Sequence, residues 1–267
     1  MNALSCLKFD LEAKCIPTGC ENLDMALGSG IRLGSITEFV GNSGAGKTQL
    51  SLQLVFNTIL PSPVGLIDGD AVYISTRRNF CPQRVIHLAD VSVSLWENSF
   101  SKNKNRSLDF RTNYTNEKAL SRIHHKLVQR IPELISTVYQ LDLLAIKHPN
   151  IRLVVIDSFS SLLRNLEPSE RIRIVYELFH VLQNFATTNQ SAVIITNDLT
   201  PHVTPNSMEP AMMKPALGDA YHHRLSQRIL LNKEDEKQIT VAQILKNLNG
   251  GPAQCKIKVV DDGVKDA

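Results

Sequence analysis

Gly41-Asn42-Ser43-Gly44-Ala45-Gly46-Lys47-Thr48 is the stretch whose reading decides the fold. It satisfies the pattern GxxxxGK[ST] and sits where that pattern has meaning, after a strand-like run and before a helix. The run is Ile36-Thr-Glu-Phe-Val40; the helix shows in Leu50, Leu54, Val55 and Ile59, which share one face until Pro61 stops it. Glycines let the backbone curl until several N–H groups face one anion, and the helix start adds its positive end. Gly41, Asn42, Ser43, Gly44, Ala45, Gly46, Lys47 and Thr48 are therefore read as a nucleotide-phosphate cradle. In it Lys47 reaches the β- and γ-phosphates and the Thr48 hydroxyl is positioned for Mg²⁺, so ATP and Mg are the implied ligands.

Downstream, Ile151 to Ile156 is a near-continuous apolar run that ends at Asp157. Such a run suits a strand buried on both faces of a parallel sheet. An ionised carboxylate at its end is costly unless it meets a cation or donors, so Asp157 is read as holding Mg²⁺ through water, with a helix N-cap as the alternative. Ala71 to Ser75 and Ala192 to Thr196 are further strands. Helices are expected from Pro82 (Val85, Ile86, Leu88), over Pro132 to Ile146, and after Pro168 with Ile172, Val175, Phe179, Leu182 and Phe185 on one face. This alternation predicts an α/β fold, a mostly parallel central sheet with helices on both faces. From Arg228 onward short strands joined by polar turns read as antiparallel additions at the C-terminal end. With no repeat and no low-complexity linker, one domain is expected: a short extension over 1–15, a core over 16–262 and a tail over 263–267.

The chain has 267 residues, 43% hydrophobic and 21% charged, which disfavours a disordered, collagen-like or coiled-coil protein. No window approaches a membrane span, and Met1 to Asp10 lacks the features of a signal peptide, so neither membrane nor secretion is expected. Five cysteines without a CxxC pair fit a reducing compartment, with Cys15 and Cys20 as ordinary thiols. The net charge of +3 is uneven. Ser101 to Arg130 holds eight basic residues against Asp109 and Glu117, a local +6 that leaves the rest at −3. Overlapping it, a basic excursion over about 98–122 looks like a long surface segment, and Lys102, Lys104 and Arg106 are candidates for the DNA backbone. A solvated loop or a protein-facing surface is the alternative, because stacking aromatics there are few, Phe110 and Tyr114. The His124-His125 and His222-His223 pairs are read as non-metal, since adjacent side chains point apart in regular structure.

Several motifs occur in one order: Thr18-Gly-Cys-Glu-Asn-Leu-Asp24, Gly34-Ser-Ile-Thr-Glu38, Gly46-Lys-Thr-Gln49, Phe80-Cys-Pro-Gln-Arg84, the Asp157 strand, Ile195-Thr-Asn197 and Pro215-Ala-Leu-Gly218. In that order they resemble the RecA-like eukaryotic recombinases, as a paralogue of the strand-exchange protein and most like the C-type one, over roughly residues 16 to 262. The resemblance implies a RecA-like P-loop ATPase core, with Arg84 at the adenine-stacking position. Two departures stand out. Where such recombinases read Asp-Thr-Glu-Gly, this chain reads Ser75-Thr76-Arg77-Arg78, so Arg77 stands at the place of the catalytic glutamate. A guanidinium cannot act as general base at neutral pH. Where they read Thr-Asn-Gln, this chain has Thr196-Asn197-Asp198, so Asp198 replaces the γ-phosphate sensor. ATP binding with slow or absent hydrolysis is expected, unless Glu97, Asp198 or a partner's residue supplies the base.

The DNA loops implied by the resemblance map to about Arg164 to Arg171 and Pro201 to Lys214, with Arg164 and Lys214 as their candidate contacts. Phe9-Asp-Leu-Glu12 departs from the family's self-assembly arm, Phe-x-x-Ala, which argues for a small hetero-complex. The implied partners are other recombinase paralogues, the main strand-exchange recombinase and single-stranded DNA; the implied setting is the nucleus, in repair and meiotic recombination. Two alternatives are a DNA-dependent ATPase that exchanges strands itself and a scaffold that no longer uses ATP.

Overall fold

Leu153 and Val155 enter one hydrophobic core while Val154 and Ile156 enter another, as a strand covered on both faces requires. This strand, β6 (Ile151–Asp157), belongs to a computed structural model that describes residues 14–61, 67–78, 80–101, 114–202, 212–234, 238–248 and 251–267. The other strands are β1 (Cys15–Ile16), β2 (Ile31–Arg32), β3 (Ile36–Gly41), β4 (Asp70–Ser75), β5 (Ile123–Leu127), β7 (Ala192–His202), β8 (Met212–Pro215), β9 (Gln227–Glu234), β10 (Ile239–Lys246), β11 (Ala253–Val260) and β12 (Gly263–Asp266). The helices are α1 (Glu21–Leu27), α2 (Lys47–Ile59), α3 (Pro82–Ser101), α4 (Asn116–Ser121), α5 (Ile131–Tyr139), α6 (Leu141–Lys147), α7 (Phe159–Leu163) and α8 (Pro168–Asn189).

The main sheet runs β12-β11-β10-β9-β3-β7-β6-β4-β5. Pairing is parallel from β9 to β5 and antiparallel from β9 to β12. The α/β fold read from the sequence is thus present, with its antiparallel strands at the C-terminal end. The first of those strands, β9, is itself parallel to β3, so the antiparallel part begins only at β10. One core joins α2 and α3 to Phe39, Tyr73 and Ile194; the other joins α5 to α8 to Ile36, Ile74 and Ile195. Among the described residues, no helix is long and apolar enough to cross a membrane.

Several local expectations need correction. The first part of the expected excursion is helical, because α3 continues to Ser101 with Leu88, Ser92 and Trp96 buried at four-residue intervals. A serine in the middle of that stripe hides the period from a hydrophobicity reading. Its end is helical too: α4 starts at a Thr115 cap, whose hydroxyl accepts from the Lys118 amide at 3.4 Å. Lys102, Lys104, Arg106 and Phe110 lie outside the described residues. The single helix expected over Pro132 to Ile146 is two, parted at Gln140. On α8 the inward position is Ile174, and Ile172 is 44% exposed. The expected tail is mostly strand, since β12 pairs with β11 and Val264 is buried.

Candidate nucleotide-binding site

Parallel strands bring their carboxyl ends to one edge, and there β3, β6 and β7 deliver Gly41, Asp157 and Asp198. The register sets Gly41 beside Asp198 on one side and Leu231 on the other. The loop after β3 turns with Gly44 and Gly46 at φ of +82° and +95° and runs directly into α2 at Lys47. Gly46 caps this helix without a side-chain bond, and its first turn carries no acidic residue. The helix start therefore presents backbone N–H groups and the positive end of its dipole to the cleft, the property the sequence pattern predicts.

The cleft measures about 500 Å³. Residues 42–49 line it, facing Arg77, Asp157 and Asp198, while Lys233, Thr240 and Val259 from the C-terminal strands and Gln238 from the turn before β10 wall the other side. No sequence motif announces those last four; they arrive by chain topology. Gly41 is needed for a different reason from the other glycines: a Cβ there would meet the Leu231 carbonyl oxygen at 2.4 Å. Gly41→Ala is expected to cost about 1–3 kcal/mol by overpacking. Urea unfolding checks this, with Gly251→Ala as a reference that meets no atom within 4 Å and has no left-handed backbone to strain.

Asp157 is 2% exposed, so its carboxylate needs donors. Three hydroxyls provide them: Thr48 at 2.7 Å and Tyr73 at 2.8 Å donate to Oδ2, and Thr196 at 2.6 Å donates to Oδ1. The helix-cap alternative is not what this side chain does, because the N-cap of α7 is Ser158. Thr48 and Asp157 together offer hard oxygen ligands, which fit Mg²⁺, beside a loop whose N–H groups fit phosphate. Sequence reasoning missed Tyr73 and Thr196. Burial and the Asp157 carboxylate raise the Tyr73 phenol well above its ordinary value, so it donates at all working pH values.

The two departures from the recombinase pattern meet in space. Arg77 Nη2 lies 2.6 Å from Asp198 Oδ2, and Lys47 Nζ lies 3.1 Å from Asp198 Oδ1. Lys47 also donates to the carbonyls of Gly41 at 2.6 Å and Asn42 at 3.0 Å. Burial pushes the Asp198 carboxyl upward, but Lys47 and Arg77 outweigh it and hold the group below the usual carboxylate range.

Other expected residues stand farther out. Arg84 donates to Gln49 at 2.8 Å, to the Val260 carbonyl at 3.1 Å and to the Asp261 carbonyl, tying α3 to α2 and to the β11–β12 turn. Its neighbour Gln49 lines the cleft, whereas Arg84 does not. Arg164, at the end of α7, lines an adjoining cleft that shares Ser43, Arg77 and Asp198 with the first. Lys214 sits on β8 opposite Thr200. Glu97 lines a separate groove with Asp90 and Tyr114.

With this geometry in hand, relatives bear on the reading. The family model described as Rad51 matches residues 11–267. "DNA repair protein RAD51 homolog 3" of Dictyostelium discoideum is 33% identical over 218 residues, which cover 81% of this chain and 56% of that protein. The protein of the same description from Cricetulus griseus is 29% identical over 271 residues, covering 99% of this chain and 72% of that protein. The chain thus spans little more than half the length of the first of these relatives.

Proposed function

The chain belongs to the Rad51 family, and from that premise we propose that it is an ATP-binding accessory recombinase paralogue that hydrolyses ATP slowly or not at all. Its kinship with the homolog 3 proteins supports a role in recombination and DNA repair. The finer reading is ours: it assists filament assembly on single-stranded DNA within a complex of other paralogues and the main strand-exchange recombinase, in the nucleus, in break repair that includes meiosis.

One observation carries the reading, the Lys47–Asp198–Arg77 cluster set against an intact phosphate loop. The loop N–H groups and Lys47 bind and orient the phosphates; Thr48 and Asp157 hold Mg²⁺, which neutralises phosphate charge when bound. Nothing in the cluster takes a proton readily. Arg77 has no acceptor, and Asp198 is a weakened base because two cations favour its ionised form. Nucleotide then acts by mass action, stabilising the assembly-competent state in proportion to its differential affinity. Arg164, beside the same cleft, is our choice for a DNA contact that senses the bound nucleotide.

Equilibrium ATP binding and turnover, with and without single-stranded DNA, test this on wild type and Lys47→Ala. Binding without appreciable turnover is expected. In Lys47→Ala affinity falls by about two decades, as when one partner of a desolvated charge pair is removed. Brisk turnover that Lys47→Ala abolishes selects a true ATPase instead; no binding by wild type selects a scaffold.

A further inference from the structure

At the edge of the sheet opposite the nucleotide cleft, three strands start side by side. Asp70 is the first residue of β4, His124 the second of β5, and His148 follows α6 just before β6. Since β4 lies between β6 and β5 in parallel register, these three residues from distant parts of the sequence converge. One ligand atom from each lies within 4.8 Å of the others. Asp70 Oδ2 stands 3.9 Å from His124 Nε2, and the two imidazole centroids are 4.1 Å apart.

Two further observations point to a cation. His124 Nε2 is buried and has no hydrogen-bond partner, a state that is costly to leave unmet. Asp70 is oriented from behind: Arg122 Nε donates to its Oδ1 at 3.0 Å, and Arg122 is itself held by Asp68 at 2.7 Å. That carboxylate–guanidinium support leaves Oδ2 facing the two rings, the second tier of bonding that ligand sets usually have. The histidine doublet does not chelate as a pair: His125 turns to the other face, stacked on Phe80 at 4.0 Å and bonded to Ser75 at 2.8 Å.

We propose that Asp70, His124 and His148 form a binding site for a divalent transition metal of the zinc class. Two imidazoles and one carboxylate suit that class, and bond lengths of about 2.0–2.2 Å ask the ligand atoms to draw only slightly closer. The ion clamps β4, β5 and the entry to β6, remote from the phosphate loop, and needs neither ATP nor hydrolysis.

Calorimetric titration of the full-length chain with Zn²⁺ is expected to show one saturable equivalent that raises Tm. The variant His124→Ala/His148→Ala is expected to lose at least about a hundredfold in Zn²⁺ affinity, beyond the effect of losing outer-shell support alone, while ATP binding persists as the check on folding. X-ray absorption of zinc-loaded wild type provides a reading that needs no variant: nitrogen and oxygen neighbours, including two imidazoles, and no sulfur. A sulfur shell, an unchanged affinity in the double variant, or no saturable binding by wild type overturns the assignment.

Discussion

In the double variant Arg77→Glu/Asp198→Gln, ATP turnover rises by about two to four decades over wild type, the usual worth of one positioned general base. The reason for changing both positions is the contact between them. Arg77 and Asp198 are 121 residues apart in sequence yet 2.6 Å apart in the fold, and Asp198 also holds Lys47 at 3.1 Å. Arg77→Glu alone sets a second carboxylate against Asp198, so two like charges compete for Lys47 and one of them is driven to take up a proton. Asp198→Gln alone frees Arg77 to face the phosphates, which tightens nucleotide binding but adds no base. Both single variants therefore stay near the wild-type rate, and only the pair gives a carboxylate beside a neutral amide. Steady-state phosphate release at saturating ATP reads the result. A double variant no faster than wild type, with ATP binding intact, removes the missing base as the cause of slow hydrolysis.

That contact also shows where sequence reading stops. Arg77 and Asp198 are legible as two separate departures from a pattern, but their compensation is a relation across strands that no local window contains. The same holds for Asp157. Its position at the end of an apolar run is plain, whereas Tyr73 and Thr196, which hold it, look like ordinary residues of neighbouring strands. While β3 is placed by the phosphate loop that follows it, the buried strand β6 and the first half of β7 are readable because both faces are covered and their runs are nearly all apolar. β5, reading Ile-His-His-Lys-Leu, is not: it closes the edge of the sheet, no residue in it is fully buried, and its composition carries no apolar period. The histidines that obscure it are also what brings His124 beside Asp70 and His148.

Glu38→Ala lowers stability by about 3–5 kcal/mol, the cost of leaving a buried charge without its partner, and Tm falls on the order of 10 °C. Glu38 is fully buried in the middle of β3. Its Oε2 accepts from Arg228 Nε at 2.6 Å, and its Oε1 accepts from Tyr221 at 2.6 Å and from Asn197 at 2.9 Å. Burial depresses the Arg228 guanidinium, but Glu38 and Asp219 outweigh it and the group stays charged. Alanine therefore takes from Arg228 its buried partner, leaving it only the exposed Asp219, and leaves the Tyr221 phenol and the Asn197 amide bonded only to each other. Glu38→Gln keeps the shape and most of the bonds, so its loss is smaller. In Glu38→Ala/Arg228→Met no charge remains buried, and much of the stability returns. Denaturant unfolding of the three variants orders them, and a Glu38→Ala loss within about 1 kcal/mol, typical of a single neutral hydrogen bond, refutes the network as a keystone. The network also acts on the site. It ties together β3, which ends in the phosphate loop, β7, where Asn197 immediately precedes Asp198, and β9, whose Leu231 abuts Gly41. Loosening it shifts Asp198 relative to Lys47, so Glu38→Ala is expected to weaken ATP binding well below the unfolding midpoint, and Glu38→Ala/Arg228→Met regains stability more fully than it regains nucleotide affinity.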